Sequence, residues 1–446
     1  MAGKTVNVTE IIDERGFGRF QLGVTFWCGL LILLDGFDIG TTAYVVPTVA
    51  PLWHITPAAF SQAFLSTLVG VLIGTLASGP LADRYGRKKV ILLSALTFAI
   101  FELATIPVSS LMSFIVVRFL TGLGIGGLMP ISIAMTAEYA PRRIRTTVTA
   151  IMYLGFPLGV GIAGFAAAEL IPAYGWQAMF VVGGALPLLL LPVVIFTLPE
   201  SIRFLVARGG SPARIATLLN RLTQSAQYDA ADQFGIAEEK TAGFTVKELF
   251  TEGRAASTVL LWVIFFCNLL VIYFLSAWLP TILSAAGVPI GAASRLTGAL
   301  SLGGVVGILL LGPLVDKIGA TRVVRTLYVA AAICIFGIGF SGDNITLLAI
   351  TITACGGCIT SSQSFSNVLA ARLYPTTMRS TGVAWALGIG RAGTLLGPVV
   401  GGLMLNAHFD TRTMFFSTAI PAVIAAIAMF ILGQRLRAET KDPAAS

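Results

Sequence analysis

Charge is what this sequence has least of. Only 11% of its 446 residues are Asp, Glu, Lys or Arg, where an ordinary soluble domain carries about 25%. Histidine is nearly missing: His54 and His408 are the two present, far apart and each between apolar runs, so no histidine-based metal or catalytic centre can be assembled. The five cysteines, Cys28, Cys267, Cys334, Cys355 and Cys358, all fall inside apolar runs. Cys355-Gly-Gly-Cys358 has the spacing of a metal or redox pair, but no second pair accompanies it, and it reads as small packing residues of a helix. No nucleophile constellation, phosphate loop or basic groove with interleaved aromatics is present. Those absences argue against an enzyme, a metal site and a nucleic-acid partner. The first 21 residues lack an apolar core followed by a small-residue cleavage site, so a cleaved signal peptide is not expected.

What replaces charge is apolar surface. Hydrophobic residues make up 56% of the chain and the mean hydropathy is +0.88. Water would not solvate such a surface at this size, whereas a bilayer would, since a spanning helix needs roughly 20 apolar residues. Apolar runs fall at 20–45, 60–82, 90–108, 111–137, 146–170 and 177–197, and again at 256–286, 292–315, 323–341, 345–371, 380–406 and 412–433. The expected fold is an all-α membrane protein of twelve transmembrane helices. The expected domains are a cytoplasmic N-terminal segment (1–19), a six-helix bundle (20–197), a cytoplasmic linker (198–254), a second six-helix bundle (255–433) and a cytoplasmic tail (434–446). The linker reads as too short and too polar for a core of its own.

Lys and Arg are distributed to one side. The N-terminus, the loops after the second, fourth, eighth and tenth spans, the linker and the tail hold all of the 29 except Arg118, Arg295, Arg391 and Arg412. By the positive-inside bias that side, with both termini, is cytoplasmic. The net charge of +8 is thereby explained by topology.

The two halves repeat. Gly79-Pro80-Leu81-Ala82-Asp83-Arg84-Tyr85-Gly86 is echoed by Gly312-Pro313-Leu314-Val315-Asp316-Lys317-Ile318-Gly319, and Pro141 and Arg145 by Pro375 and Arg379. Both matches sit at equivalent loops, after the second and the fourth span of each half. Six helices, a linker and six more with parallel symmetry is a transporter plan. Asp83 at such a turn can pair with basic residues of a neighbouring helix end in one conformation only. We therefore expect Asp83, Arg84, Arg87, Glu138 and Arg145, with Asp316 and Arg379 in the second copy, to act in gating. For Arg87, Lys88 and Lys89 the alternative is a basic turn that satisfies the positive-inside bias.

Ionisable residues within spans are few, and each is a functional hypothesis. Asp35 and Asp38 lie three apart on the first span, hence on one helix face, and two such carboxylates suit a proton carrier. The alternative is that one of them, Asp35 before Asp38, is the fixed partner of an arginine. Glu102 in the third span is a further proton-coupling candidate or a structural partner of Arg118. Arg118, near the start of the fourth span, is expected near the interface, where it can snorkel or meet ligand. Arg391, flanked by Gly388, Gly390 and Gly393, suits bidentate capture of a carboxylate, the alternative being an ion pair with Asp35 or Asp38. Phe37, Tyr44, Tyr273, Phe274, Trp278, Phe365 and Trp385 could sandwich an aromatic ring, and Gln363 or Ser361 could read ring hydroxyls.

The Gly79–Lys89 segment, Gly-Pro-Leu-Ala-Asp-Arg-Tyr-Gly-Arg-Lys-Lys, resembles the loop signature of the major facilitator superfamily, with the degenerate copy at 312–322. Four further segments resemble its aromatic acid:proton symporter branch. They are Asp35-Gly-Phe-Asp38, Arg118-Phe-Leu-Thr-Gly-Leu-Gly124, Leu373-Tyr-Pro-Thr-Thr-Met-Arg379-Ser-Thr-Gly382 and Trp385-Ala-Leu-Gly-Ile-Gly-Arg391-Ala-Gly393. The resemblance implies a monomeric, multi-pass protein of the bacterial inner membrane that imports hydroxybenzoate-like acids with protons, without another cofactor. It also implies that Asp35, Asp38, Arg118 and Arg391 matter. The competing expectation is a proton-driven efflux antiporter: Gly393-Thr-Leu-Leu-Gly-Pro-Val-Val-Gly-Gly402 resembles the antiporter glycine motif, which belongs in the fifth span rather than the eleventh.

Overall fold

The computed structural model describes residues 5–236, 246–251, 253–342, 344–375 and 378–441. Lys4 and Lys240, and the side chains of Asp316, Arg372 and Arg379, lie outside the described residues, so the two gating residues expected in the second copy are not placed.

Six long helices precede the linker: α1 (Arg19–Leu52), α2 (Ser61–Tyr85), α3 (Arg87–Ala104), α4 (Leu111–Tyr139), α5 (145–174, in the segments Arg145–Tyr153 and Gly155–Tyr174) and α6 (Gln177–Thr197). Six follow it: α7 (Ala255–Ala285), α8 (Ile290–Ile318), α9 (Ala320–Phe340), α10 (Ile345–Leu373), α11 (Arg379–Asn406) and α12 (Thr411–Lys441). Eleven of these, among the described residues, are long and apolar enough by themselves to cross a bilayer. The exception is α3, whose 18 residues begin with Arg87-Lys88-Lys89 and include Glu102. Both departures have a cause: the three cations lie at the helix end, and Glu102 is neutralised inside the protein as described below.

The internal repeat is visible in the backbone. Gly86, between α2 and α3, has φ 101°, and Gly319, at the equivalent turn between α8 and α9, has φ 89°. That region of φ is open chiefly to glycine, so the repeated signature encodes a repeated turn. His54 and His408 also have positive φ, 52° and 56°, in the turns that follow α1 and α11.

The chain forms two compact units. The first contains Met1–Ile39, Ser66–Gly159 and Gln177–Lys240, and the second Gly40–Leu65, Val160–Trp176 and Thr241–Ser446. In the first, α1 and α5 cross so closely that a Cβ at Gly36 would meet the Phe156 carbonyl and one at Gly159 the Leu33 carbonyl. In the second, a glycine row on α11 lies on α7: Gly390 against Phe265 and Leu269, Gly393 against Phe266 and Leu270, Gly401 against Trp278. The antiporter-like glycines at 393–402 thus belong to a helix–helix contact, the use small residues have in membranes. Also within the second unit, Gly164 abuts Ser294 and Gly298, Gly402 abuts Ser61, and Glu169 pairs with Arg295 at 2.5 Å.

One expectation is corrected. Residues 198–254 do contribute to a core. The helix Pro212–Thr223 buries Ile215, Leu218, Leu219 and Leu222, spaced i, i+3, i+4, i+7 along one face. They pack with Leu198, Ile202 and Leu205, and with Val8 and Ile12 of the short helix Val8–Glu14. Strand β1 (Thr5–Asn7) pairs in parallel with β2 (Gln233–Gly235), and the Arg15 Nη1 donates to the Thr223 carbonyl at 2.9 Å. Average polarity hid the amphipathic helix, and the N-terminal segment supplies the apolar surface that the linker lacks alone.

Candidate functional site

Three helices of the first unit converge on one guanidinium. Arg118 of α4 donates from Nη1 to Asp38 Oδ1 of α1 at 2.7 Å, and from Nη2 to Glu102 Oε2 of α3 at 2.5 Å. Nη2 also reaches the hydroxyls of Thr105 (2.9 Å) and Thr121 (3.1 Å). The rings of Phe114 and Phe180 lie 5.8 and 5.1 Å from the guanidinium carbon, close enough for cation–π attraction. All three charged side chains are 0% exposed. Small residues make the room: a Cβ at Gly183 of α6 would lie 2.7 Å from Glu102 Oε1.

The cluster is incompletely satisfied. Asp38 Oδ2, Glu102 Oε1 and Arg118 Nε have no hydrogen-bond partner among the described residues, nor does Oδ1 of the buried Asp35 one turn before Asp38. Three buried carboxyls against one buried guanidinium would leave a net charge of −2 if all were ionised, and an unpaired charge in this setting costs several kcal/mol. Two bound protons make the group neutral. Three carboxyls thus share one buried guanidinium.

Two expectations are revised here. Arg118 is not at the interface: it lies seven residues into α4, roughly 10 Å by helical rise, and is enclosed because two carboxylates compensate it. The aspartate fixed to an arginine is Asp38, and its arginine is Arg118 rather than Arg391. Asp35 is the aspartate with the unpartnered oxygen. Thr105, Thr121, Phe114 and Phe180 were not expected. Thr121 had a signal, since it lies three residues beyond Arg118 on the same helix.

Arg391 stands differently. It is exposed on α11, on a face it shares with Ala384 and Gly388 at i, i+4, i+7 spacing, and it has no carboxylate partner among the described residues. On the same helix Trp385, 40% exposed, stacks on Trp262 of α7 with centroids 6.0 Å apart. Trp262 in turn meets the edge of Phe250. Gln363 of α10 is half-buried and accepts a hydrogen bond from Asn268 Nδ2 at 2.7 Å; Tyr273 is also half-buried.

Other aromatics expected at a ligand are enclosed. Phe37 is buried, Tyr44 is buried with its hydroxyl on the Val160 carbonyl at 3.1 Å, and Trp278 is buried with Nε1 on the Pro398 carbonyl at 2.8 Å. Phe274, Phe365 and Ser361 are buried as well. Trp278→Phe removes that hydrogen bond and three ring atoms from a packed site, so we expect a stability loss of about 2 to 4 kcal/mol with ligand affinity unchanged. Thermal unfolding alongside equilibrium binding checks this; an affinity loss at unchanged stability would put the indole on the ligand instead.

The signature loop forms a second charged network. Arg87 pairs with Asp83 at 3.2 Å and through Nε with Glu138 at 3.1 Å, while its Nη1 donates to the Ala82 carbonyl. Glu138 also accepts from the Ser201 hydroxyl. Glu200 accepts from the Lys88 and Ser201 amides, and the Tyr139 hydroxyl donates to the Glu200 carbonyl at 2.6 Å. Asp83 is 71% exposed, its backbone carbonyl held by Arg208. Arg84 lies over the Tyr85 ring, and Arg145 pairs with Asp13 at 3.6 Å. Glu200, Ser201 and Asp13 were not foreseen. Each joins the loop from a segment distant in sequence, which spacing along the chain does not reveal.

A family model described as Major Facilitator Superfamily matches residues 28–294 and 261–446. A 4-hydroxybenzoate transporter, PcaK, of Acinetobacter baylyi is 37% identical over 96% of this chain and 94% of its own length. A gallate transporter of Pseudomonas putida is 37% identical over 97% of this chain and 96% of its own. A benzoate transport protein of Acinetobacter baylyi is 31% identical over 97% and 94%. Among solved structures, the xylose transporter XylE of E. coli in a partially occluded inward-open conformation superposes with a TM-score of 0.72 at 17% identity, covering 93% of this chain and 98% of that one.

Proposed function

Since the chain belongs to the major facilitator superfamily, we propose that it imports small aromatic carboxylates of the hydroxybenzoate type together with protons. The class follows from membership: the protein is a multi-pass membrane transporter of twelve helices in two six-helix bundles, and not an enzyme. The substrate reading is supported by relatives named for 4-hydroxybenzoate, gallate and benzoate. The observation that carries it is the contrast between two intramembrane arginines. Arg118 is paired with Asp38 and Glu102, whereas Arg391 presents a guanidinium with no carboxylate on it among the described residues. A planar fork of this kind is suited to a ligand carboxylate.

The proton is the coupling ion, and no other cofactor is invoked. An anion entering a cell moves against an inside-negative potential at about 2.3 kcal/mol per charge per 100 mV, and one proton carried with it cancels that cost. Asp35, Asp38 and Glu102 hold the protons, with Arg118 as the fixed counter-charge that lets the group release them. We read both termini as cytoplasmic in a bacterial inner membrane, a reading that the one-sided distribution of Lys and Arg supports. A single chain suffices for this cycle.

Gating is assigned to the signature loop. Glu138→Gln keeps the side-chain shape but removes the charge that holds Arg87. Because the network biases a conformational equilibrium without touching ligand, we expect transport to fall about tenfold with binding within about threefold, read by flux and equilibrium binding on the same preparation.

The reading is tested with proteoliposomes in weakly buffered medium and no imposed gradient. Adding 4-hydroxybenzoate outside should draw protons inward and raise the external pH, and adding xylose should not. An acid that enters with no proton movement would remove the coupling. Failure of every benzoate-type acid to enter would remove the substrate class.

A further inference from the structure

The α7 span contains one amide side chain, Asn268, in an otherwise apolar stretch. An amide in that setting is costly unless it is hydrogen-bonded. Asn268 is 2% exposed, and its Nδ2 donates to Gln363 Oε1 of α10 at 2.7 Å. Four residues on, along the same face of α10, Asn367 has a buried Oδ1 without a partner among the described residues. Asn268 and Gln363 therefore meet, and Asn367 lies one turn along the Gln363 face with an oxygen to spare.

We propose that Asn268, Gln363 and Asn367 form a hydroxyl-reading subsite, so that the acid carried is a ring-hydroxylated benzoate in preference to benzoate itself. This rests on the reading of Arg391 as the carboxylate site. A bonded pair of amides spends one donor and one acceptor on each other and keeps an NH2 group on one member and a carbonyl oxygen on the other. A phenolic hydroxyl is both donor and acceptor and matches that remainder. The third amide adds a bare oxygen beside it. Helix register puts the group at the right depth. Gly390 and Gly393 bring α11 against residues 265–270 of α7, which places Arg391 level with Asn268, and the Asn268–Gln363 bond sets α10 at the same level. An acid whose carboxylate is on Arg391 directs its ring into the layer that holds the amides.

The competing role is a helix clamp. Interhelical amide bonds of this kind stabilise membrane bundles modestly, and a clamp would be blind to the ring substituent. The test compares equilibrium binding of radiolabelled 4-hydroxybenzoate and benzoate to the purified full-length protein, for wild type, Gln363→Met and Asn268→Leu, with thermal unfolding measured in parallel. We expect wild type to prefer 4-hydroxybenzoate by about 10-fold or more. Gln363→Met should bring that preference close to parity while shifting the benzoate Kd by less than about threefold. Asn268→Leu is the second variant, and either one, folded, suffices. A preference that survives either substitution in a folded variant, or an equal loss for both acids, overturns the subsite. Wild-type binding of benzoate that depends on Arg391 but shows no hydroxyl preference overturns the subsite alone, whereas no binding of either acid by wild type overturns the carboxylate reading with it.

Discussion

Arg391→Lys is expected to weaken equilibrium binding of every accepted aromatic acid by about 100-fold, or about 2.7 kcal/mol. Lysine keeps the charge, so a purely electrostatic site would lose little. The loss arises because a guanidinium offers two parallel donors in a fixed plane and an ammonium does not. The surroundings sharpen the expectation. Arg391 is exposed on α11 with Leu387 and Leu395 one turn to either side, and neither carries a charge that competes for the carboxylate. It makes no ion pair among the described residues, so the substitution leaves no protein carboxylate orphaned and should not unfold the chain. Binding measured by equilibrium dialysis in detergent gives the result directly. Near-normal affinity for all acids would take Arg391 out of the site.

Asp38→Asn is expected to abolish accumulation of acid under an inward proton gradient, while exchange of labelled for unlabelled acid continues within about threefold of wild type. The geometry explains why the variant should fold. Asn keeps an oxygen to accept from Arg118 Nη1, and Glu102, 2.5 Å from Nη2, remains as counter-charge. On the proposed symport cycle the variant loses a carboxyl that gives up its proton before the carrier returns empty. Paired assays on one reconstitution separate the two activities. Wild-type accumulation by the variant would leave Asp35 and Glu102 as the carriers. Loss of exchange and binding together would move Asp38 from coupling to recognition.

Much of this was legible in the sequence for identifiable reasons. Apolar run length is a direct consequence of bilayer thickness, so the helices followed, including α3 with its basic end. The repeated Gly-Pro-Leu-x-Asp signature anticipated two turns that share a positive φ at Gly86 and Gly319. The scarcity of charge made each intramembrane ionisable residue conspicuous, and Asp38, Glu102 and Arg118 do meet.

Pairing across space was not legible. Helical spacing puts Asp35 and Asp38 on one face but does not say which of them a helix 80 residues away will meet. The same limit hid the Glu200 and Ser201 contacts at the signature loop. Aromatic residues were ambiguous because ring type does not distinguish packing from recognition: Trp278 is enclosed and bonded to the Pro398 carbonyl, while Trp385 is part-exposed and stacked on Trp262. The linker misled by its average, since four leucine and isoleucine residues on one face of Pro212–Thr223 are diluted by the polar residues of the other.

Gradient-driven accumulation decides whether proton movement drives uptake of an aromatic carboxylate. Proteoliposomes loaded at pH 8 and diluted into pH 6 medium, roughly a 100-fold proton gradient, would be given radiolabelled 4-hydroxybenzoate with and without a protonophore. Protein-free liposomes would correct for passive entry of the neutral acid. The account predicts protein-dependent accumulation above the passive level that collapses with the protonophore. Protein-dependent entry that the protonophore leaves unchanged, or no protein-dependent entry of any benzoate-type acid, would contradict it.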